Sequence, residues 1–235
     1  MEVLRFNSEM AKEKAAEEIG VLLSRTKVPV LLMLSGGSAF KILDHIDMRN
    51  INSHVTITVL DERFSKDVKV NNFSQLMETT FGQVAAIRKA SFIDTRVAEG
   101  EDLRMLADRF EKSVRQWEKD NKNGEIVVTQ GIGSDGHTAG IMPYPEDKDK
   151  FIDLFGGKND WIIGYNAGDK NQYPERITVT PSFLKDEVDH SIVFVGGEEK
   201  RNALDRIIFE KGAEYDTPAT IIRGMKDVKI FTDIV

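Results

Sequence analysis

The sequence predicts an α/β protein in which helices cover both faces of a mostly parallel β-sheet. Three observations support this fold class. Apolar runs typical of strands buried on both faces recur at residues 30–34, 55–60, 125–130 and 192–195. Segments with apolar residues at helical spacing separate several of these runs. Glycine-rich turns follow three of the runs, as expected where a parallel strand leads into a helix.

The first half of the chain alternates helices and strands. Residues 8–25 place apolar side chains on one helical face, which predicts an amphipathic helix. The buried strand at 30–34 is followed by a turn and by a helix over about 39–46. Residues 55–60 form the next strand, which ends in the charged segment 61–63.

The second half continues this alternation. Apolar residues spaced three and four apart predict a long helix over 101–120, and the strand at 125–130 leads into a glycine-rich turn. The remaining predicted elements are, in chain order, extended segments at 161–165 and 176–180, a buried strand at 192–195, a helix over about 198–210 and a strand at 228–232.

Residues 143–160 are rich in Pro, Asp, Lys and Gly, which predicts a surface loop. Because strands resume on both sides of this loop, we expect a single domain over residues 1–235. The sequence contains no internal repeat and no low-complexity tract. The expected architecture is therefore a single Rossmann-like α/β domain.

The composition narrows the classes of protein. The chain has 235 residues and a formal net charge of −7, which argues against broad nucleic-acid binding but permits a local basic pocket for a small anion. It has no cysteine, which excludes disulfides and fits a reducing cytoplasm. The first residues lack the regions of a signal peptide, and no apolar stretch reaches the length of a membrane span. We therefore expect a cytoplasmic protein with no nucleic-acid or membrane partner.

Three polar clusters follow predicted strands, at residues 35–38, 61–63 and 131–137. Ligands bind beyond the carboxyl ends of the strands in such sheets, so we expect the clusters to form one site. The first, Ser35-Gly36-Gly37-Ser38, leads into a helix, and its backbone N–H groups could bind an anion. The alternative is a plain tight turn with a serine N-cap. No Gly-Lys-Ser/Thr follows, so a nucleoside triphosphate is not expected.

The second cluster, Asp61-Glu62-Arg63, has two interpretations. Opposite charges at a strand end often form a solvated salt bridge. Alternatively, Arg63 is a fixed cation that faces a carbonyl group or a developing oxyanion. Two later cations, Arg176 and Lys200, are on their own typical of surface charge.

The third cluster, Gly-Ile-Gly-Ser-Asp-Gly-His at 131–137, contains the only histidine that lies among glycines. Histidine has the side chain best suited to proton transfer near neutral pH, and Asp135 could orient the His137 ring. The alternative is an Asx turn and a histidine that only caps the next segment. The four histidines lack metal-ligand spacing with one another, so no metal site is expected.

The same turn matches the dinucleotide pattern Gly-x-Gly-x-x-Gly, but its context disfavours that interpretation. Pro143 and Pro145 prevent the long helix that must follow such a turn. No following strand ends in a carboxylate at the required distance.

Six segments resemble, in chain order, motifs of the 6-phosphogluconolactonase family, which belongs to a superfamily with the glucosamine-6-phosphate deaminases/isomerases. The segments are Leu34-Ser-Gly-Gly-Ser38, Asp61-Glu-Arg63, Asn71-Asn-Phe73, Gly131-Ile-Gly-Ser-Asp-Gly-His-Thr-Ala139, Arg176-Ile-Thr-Val-Thr180 and Gly197-Glu-Glu-Lys200. Together they extend through nearly the whole chain, and the histidine turn is the most specific of them.

The resemblance implies a carboxylic ester hydrolase of the pentose phosphate pathway, which converts 6-phospho-D-glucono-1,5-lactone to 6-phosphogluconate without a metal or organic cofactor. His137 would be the general base, Asp135 would support it, and Arg63 would stabilise the oxyanion. The remaining site residues would bind the phosphate or line the site: Gly36, Gly37, Ser38, Asp61, Asn72, Gly136, Arg176 and Lys200. The partner would be the phosphorylated sugar lactone, and the protein a monomer or small homo-oligomer.

The chain departs from the family pattern in two places. Ala39 and Phe40 stand where Thr-Pro is usual, and Gly140 and Met142 lie in a segment that usually reads Ser-Leu-Phe-Pro, which puts the exact substrate in question. Deaminases carry Asp-Glu-Tyr and Asn-Glu-Pro elements that this chain lacks, so a lactonase is favoured over a deaminase. A non-catalytic sugar-phosphate sensor is the other alternative, although His137 is retained.

Overall fold

The computed structural model describes residues 1–234, except for the side chain of Ser38. The strands are β1 (Glu2–Arg5), β2 (Val30–Leu34), β3 (Val55–Val59), β4 (Asp61–Arg63), β5 (Ser91–Phe92), β6 (Glu125–Gly131), β7 (Ile162–Asn166), β8 (Glu175–Val179), β9 (His190–Val195) and β10 (Asp227–Thr232). The α-helices are α1 (Ser8–Leu23), α2 (Asn72–Glu78), α3 (Thr80–Ile87), α4 (Leu103–Asp120), α5 (Lys148–Phe155), α6 (Pro181–Asp186) and α7 (Arg201–Ile208).

Seven parallel strands form the main sheet, in the order β1-β10-β9-β6-β2-β3-β5. Alternate side chains of β2 enter two separate hydrophobic cores. Leu31 and Met33 pack with α4, α6 and α7, whereas Leu32 and Leu34 pack with α1, α2 and α3. All of β2 is buried, which explains its continuous apolar sequence. The predicted parallel sheet with helices on both faces is confirmed.

The centre of the sheet brings the glycine turns together. β6 lies between β2 and β9, with Leu34 opposite Thr129 and Gly131 opposite Phe194. The carboxyl ends of these three strands therefore reach the same edge. The turns at 35–38 and 131–137 and the segment after β9 all begin at that edge.

A second, antiparallel sheet has the order β4-β8-β7 and packs on the α4 side of the main sheet. The prediction that residues 61–63 end a parallel strand is wrong. β3 stops at Val59, and Asp61–Arg63 pairs with β8, with Arg63 opposite Arg176. A three-residue charged strand has no apolar alternation that could reveal it in the sequence. This second sheet places Asp61, Arg63 and Arg176 beside the edge of the first.

Two other predictions need correction. The predicted loop at 143–160 contains α5, which buries Phe151 and Phe155 one helical turn apart. The predicted helices at 39–46 and 198–210 are in part 3₁₀ helices, Gly37–His45 and Glu198–Lys200, the latter followed by α7. Across residues 1–234, no helix combines the length and the hydrophobicity that crossing a membrane would require.

Candidate active site

A cavity of about 480 Å³ lies at the carboxyl edge of the main sheet, where the second sheet meets it. Most of the predicted site residues line it: Gly36, Gly37, Asp61, Arg63, Asn72, Asp135, His137, Arg176 and Lys200. Gly136 does not line this cavity. It lies in the wall of an adjacent cleft of about 440 Å³ that shares Ser134 and Asp135. The side chain of Ser38 is outside the described part of the chain.

Asp135 and His137 form a hydrogen-bonded pair in the turn after β6. Asp135 Oδ1 lies 2.6 Å from His137 Nδ1 and also accepts a hydrogen bond from the His137 backbone N–H at 3.1 Å. Because a carboxylate accepts at Nδ1, the proton belongs on Nδ1 and the lone pair on Nε2. None of the described residues forms a hydrogen bond with Nε2. The His137 side chain is 37% exposed, so Nε2 can reach a ligand in the cavity.

A glycine at position 133 makes room for this pair in the turn. The Gly133 N–H donates to the His137 carbonyl at 2.9 Å, which closes the turn. A Cβ at Gly133 would overlap both His137 Nδ1 and Asp135 Oδ1, so a side chain there would displace the pair. Burial raises the pKa of Asp135, but the hydrogen bond and the charge of His137 outweigh it and hold that pKa below its ordinary value.

Arg176 and Asp61 form a buried ion pair between β8 and β4. Arg176 Nη2 lies 2.5 Å from Asp61 Oδ2, and both side chains are less than a tenth exposed. Gly140, at φ +75°, lies against Asp61, and a Cβ there would come within 2.8 Å of the Asp61 Cβ. Part of the Arg176 guanidinium is therefore committed to Asp61, while its buried Nε has no hydrogen-bond partner in the described part of the chain.

The Arg63 side chain extends along the wall of the cavity with few contacts of its own. Its guanidinium lies 5.3 Å from the centre of the Tyr173 ring, and Nη1 is 3.5 Å from the Val70 carbonyl oxygen. Its Nε is buried, and none of the described residues accepts a hydrogen bond from it. A cation held in this way can donate to an oxygen atom of a ligand.

Four polar side-chain atoms that line the cavity are buried and have no protein partner among the described residues. They are Ser35 Oγ, Arg63 Nε, Asn72 Oδ1 and Arg176 Nε. Buried polar groups are usually hydrogen-bonded, and such a concentration is typical of a site that binds a polar ligand. The set contains both donors and acceptors.

Lys200 lines the cavity from the end of the 3₁₀ helix that follows β9. Burial and the neighbouring Lys41 lower the pKa of Lys200, and the carboxylates of Glu199 and Asp233 oppose this shift. The cavity thus has a cation on the side of the glycine turn at Gly36 and Gly37, and two arginines on the side of the second sheet.

Glu62 is a buried residue beside the site that the sequence analysis did not single out. Its side chain is fully buried and accepts hydrogen bonds from Arg63, Asn72, Phe73 and Thr95. Burial raises the pKa of Glu62 to about 7, although the four hydrogen bonds oppose that rise. An acidic residue between two other charged residues gives no sequence signal of such burial.

One group in the described part of the chain has the geometry to hold a metal ion: Glu9, Glu13 and His45. None of the three lines the cavity, and Lys12 already forms an ion pair with Glu9 at 2.6 Å. The group lies where α1 meets the 3₁₀ helix Gly37–His45 and takes no part in the site.

The fold and the cavity define an α/β protein with a polar cavity, lined in part by cations, beyond the carboxyl edge of its parallel sheet. Residues 7–231 match the family described as Glucosamine-6-phosphate isomerases/6-phosphogluconolactonase, so the chain belongs to that family. No protein of curated function matches the chain at a significant level.

Solved structures share the fold over almost the whole chain. The 6-phosphogluconolactonase of Trypanosoma brucei is 18% identical, with a TM-score of 0.74 over 98% of this chain and 95% of that chain. That of Leishmania guyanensis is 19% identical, with a TM-score of 0.71 over 98% and 95%. That of Thermotoga maritima is 19% identical, with a TM-score of 0.70 over 98% of each chain. At these identities the likeness shows a common fold.

Proposed function

We propose that this protein hydrolyses 6-phospho-D-glucono-1,5-lactone to 6-phosphogluconate. The observation that carries the proposal is the Asp135–His137 pair, which leaves Nε2 as a base in a cavity that also contains Arg63. Family membership supports it, and so do the names of the three similar structures.

The geometry supports a direct attack by water. Asp135 keeps the Nδ1 proton in place, so His137 Nε2 accepts a proton from water as the water oxygen bonds to the lactone carbonyl carbon. Arg63 donates to the oxygen that gains negative charge. The bond between the carbonyl carbon and the ring oxygen then breaks, and His137 returns its proton to that ring oxygen. The products are the open-chain acid and the free enzyme, so neither a metal nor an organic cofactor is needed.

The phosphate of the substrate would lie between the glycine turn and Lys200. Backbone N–H groups at Gly36, Gly37 and Ser38 and the Lys200 ammonium group would neutralise it. The ion pair with Asp61 occupies Arg176 Nη2 and leaves its Nε, which has no partner among the described residues, as a donor to the substrate. Asp61 and Asn72 would face the hydroxyl groups of the sugar.

The departures from the family pattern act at different places. Gly140 and Met142 line the cavity, and Gly140 makes room for Asp61, so these two residues contribute to the shape of the site. Ala39 is buried and Phe40 packs against the hydrophobic core, and neither lines the cavity.

A deaminase/isomerase would need a further carboxylate near the substrate. Glu146 is the candidate that the sequence offers after the histidine turn, but its side chain is 79% exposed, pairs with Lys170 and does not line the cavity. This position favours hydrolysis over amino-sugar ring opening.

A coupled assay tests the proposal. The lactone is generated enzymatically and acid release is followed with and without the protein, while ammonia release from glucosamine 6-phosphate is measured in parallel. We expect faster lactone hydrolysis, no ammonia and full activity in EDTA. Ammonia release without lactone hydrolysis, or EDTA inactivation reversed by a divalent ion, would contradict the proposal.

His137→Ala tests the assigned base. Removal of a general base should lower turnover by about 10²–10⁴-fold, while the affinity for 6-phosphogluconate changes little. His190→Ala is the matched control, because His190 pairs with Asp227 at the start of β9 and does not line the cavity. Unchanged turnover in His137→Ala, after subtraction of the spontaneous reaction, would remove His137 from the mechanism.

A further inference from the structure

Glu62 has a hydrogen-bonding environment that is complete and entirely internal. Its Oε1 accepts from the backbone N–H groups of Arg63 at 2.7 Å and Asn72 at 2.6 Å. Its Oε2 accepts from the Phe73 backbone N–H and the Thr95 hydroxyl, both at 2.9 Å. Both oxygens thus have two donors each, which is the full capacity of an ionised carboxylate.

These four donors come from three separate segments of the chain. Arg63 belongs to β4, Asn72 and Phe73 begin α2, and Thr95 follows β5. Two of the anchored residues, Arg63 and Asn72, line the cavity. Glu62 itself does not line it, so its carboxylate can affect a ligand only through its neighbours.

The direction of the Arg63 side chain depends strongly on its own main chain. The guanidinium has one long hydrogen bond to Val70 and a ring contact with Tyr173, and its Nε has no partner within the described residues 1–234. The hydrogen bond from the Arg63 N–H to Glu62, at 2.7 Å, is the shorter restraint.

We propose that Glu62 is a positioning residue, which fixes Arg63 and Asn72 at the wall of the cavity and acts on the substrate through Arg63. The inference rests on the role of Arg63 in the proposed function. It adds that the middle residue of the Asp61-Glu62-Arg63 segment serves the site without touching the ligand.

Glu62→Gln separates this role from simple burial. The amide has nearly the shape of the carboxylate, but its NH₂ group must replace one of the two oxygens. Whichever way the amide turns, that NH₂ meets a backbone N–H, of Arg63 and Asn72 on one side or of Phe73 on the other. The main chain beside Arg63 or at the start of α2 must therefore shift.

The experiment compares Glu62→Gln, Arg63→Ala and the double variant by kcat, KM and thermal unfolding. We expect Glu62→Gln to lower kcat by about 10–100-fold with KM changed less than about threefold, because small displacements of a catalytic group cost rate. In the Arg63→Ala background, Glu62→Gln should have almost no further effect on kcat, because both substitutions remove the same interaction of Arg63 with the substrate.

Glu101→Gln is the matched control. Glu101 is also a nearly buried carboxylate, which accepts from Arg109 at 2.7 Å and from the Ala98 N–H at 2.9 Å, and it does not line the cavity. The Glu101→Gln substitution should lower the unfolding temperature but leave kcat unchanged. Should Glu62→Gln fail to fold, Thr95→Val removes one donor and should give the same pattern at smaller size.

Amide hydrogen exchange provides a readout that is independent of the reaction. In Glu62→Gln, the N–H groups of Arg63, Asn72 and Phe73 should exchange at least about tenfold faster, beyond any change seen in Glu101→Gln. Unaltered exchange at these amides, or losses in kcat that multiply in the double variant, overturns the role of Glu62. A wild-type protein without lactonase activity overturns the proposed function instead, and exchange then still tests whether Glu62 holds these residues.

Discussion

Gly133 shows how one missing methyl group permits the reactive pair. The position is in contact with the ring of His137 and the carboxylate of Asp135, so the pair occupies the volume that any side chain would need. Gly133 also closes the turn, because its backbone N–H donates a hydrogen bond to the His137 carbonyl oxygen. The turn is therefore built around a side-chain hydrogen bond rather than only around its backbone.

Gly133→Ala should lower turnover at least about 10²-fold, because the added methyl group separates the base from its carboxylate partner. The expected loss of stability is smaller, about 1–3 kcal/mol, as for other overpacked sites. The control is Gly20→Ala inside α1, where the new Cβ would lie 3.6 Å from its nearest neighbour, Asn50 Nδ2. Kinetic assays and urea unfolding of both variants check this prediction, and wild-type turnover in Gly133→Ala would refute it.

Lys200→Ala should separate phosphate recognition from chemistry. Loss of a charge-assisted hydrogen bond of about 1.5–3 kcal/mol should raise KM for the phosphorylated lactone by about 10–100-fold. A lactone without phosphate should be affected hardly at all, because Lys200 would not contact the carbonyl group. An equal loss on both lactones would assign Lys200 to folding or catalysis. Lys226→Ala, at an exposed lysine paired with Asp189, is the control for removal of a positive charge.

At the scale of the elements, α4 is the helix whose apolar positions were most regular in the sequence. Its predicted extent, 101–120, agrees closely with the observed Leu103–Asp120. Phe110 is fully buried at the middle of the face that packs on the core shared by the two sheets, while Met105 on the same helix is 53% exposed.

Phe110→Ala should destabilise the protein by roughly 3–5 kcal/mol, because the lost burial is accompanied by a cavity. Met105→Ala, on the exposed side, should change the free energy of unfolding by less than about 0.5 kcal/mol. Chemical denaturation of the two variants tests this difference. Similar values for both would mean that α4 is not a structural part of the core.

The two elements that the sequence did not predict, β4 and α5, lack the long, regular apolar spacing that indicated α4. β4 is three residues long and charged, and it is a strand only because β8 lies beside it. α5 lies between proline- and glycine-rich flanks that indicate a loop, although the four-residue spacing of Phe151 and Phe155 was a sign of a helix. Short elements depend on partners far along the chain, which local patterns do not contain.

At the scale of the whole molecule, the general location of the site was predictable and its internal contacts were not. The carboxyl edge of a parallel sheet had to gather the turns at 35–38 and 131–137, because both follow central strands. The Arg176–Asp61 ion pair depends on the antiparallel register of β4 and β8, and the burial of Glu62 depends on where α2 begins. Neither follows from sequence spacing.

Glu62 should affect the pH dependence of stability for the whole molecule. Its pKa is raised to about 7 from 4.5, so between these pH values the folded state retains a proton that the unfolded state loses. Its contribution to stability is therefore complete below about pH 4.5 and decreases as the pH rises towards 7. Asp135 has a lowered pKa, so its effect on the pH dependence of stability is opposite. Its contribution to stability is lost as the pH falls.

The difference in unfolding free energy between the wild type and Glu62→Gln isolates this group, because the histidines are common to both. As the pH rises from 4.5 to 7, the unfolding free energy of the wild type should fall by up to about 3 kcal/mol relative to that of the variant. At higher pH the difference should change no further. Urea unfolding at a series of pH values measures it. Parallel curves for the two proteins would show that Glu62 has an ordinary pKa in the folded state.

The strand order also determines what the chain can form while it is being synthesised. β2, β3, β5 and β6 all lie within residues 30–131 and can pair as soon as those residues leave the ribosome. β1 emerges before them but pairs with β10, so it waits for residues 227–232. Until β9 arrives, the nascent half-sheet exposes the unpaired edge of β6, directly before the histidine turn. During that interval the backbone N–H and C=O groups of this edge are able to pair with another chain, which is a route to aggregation.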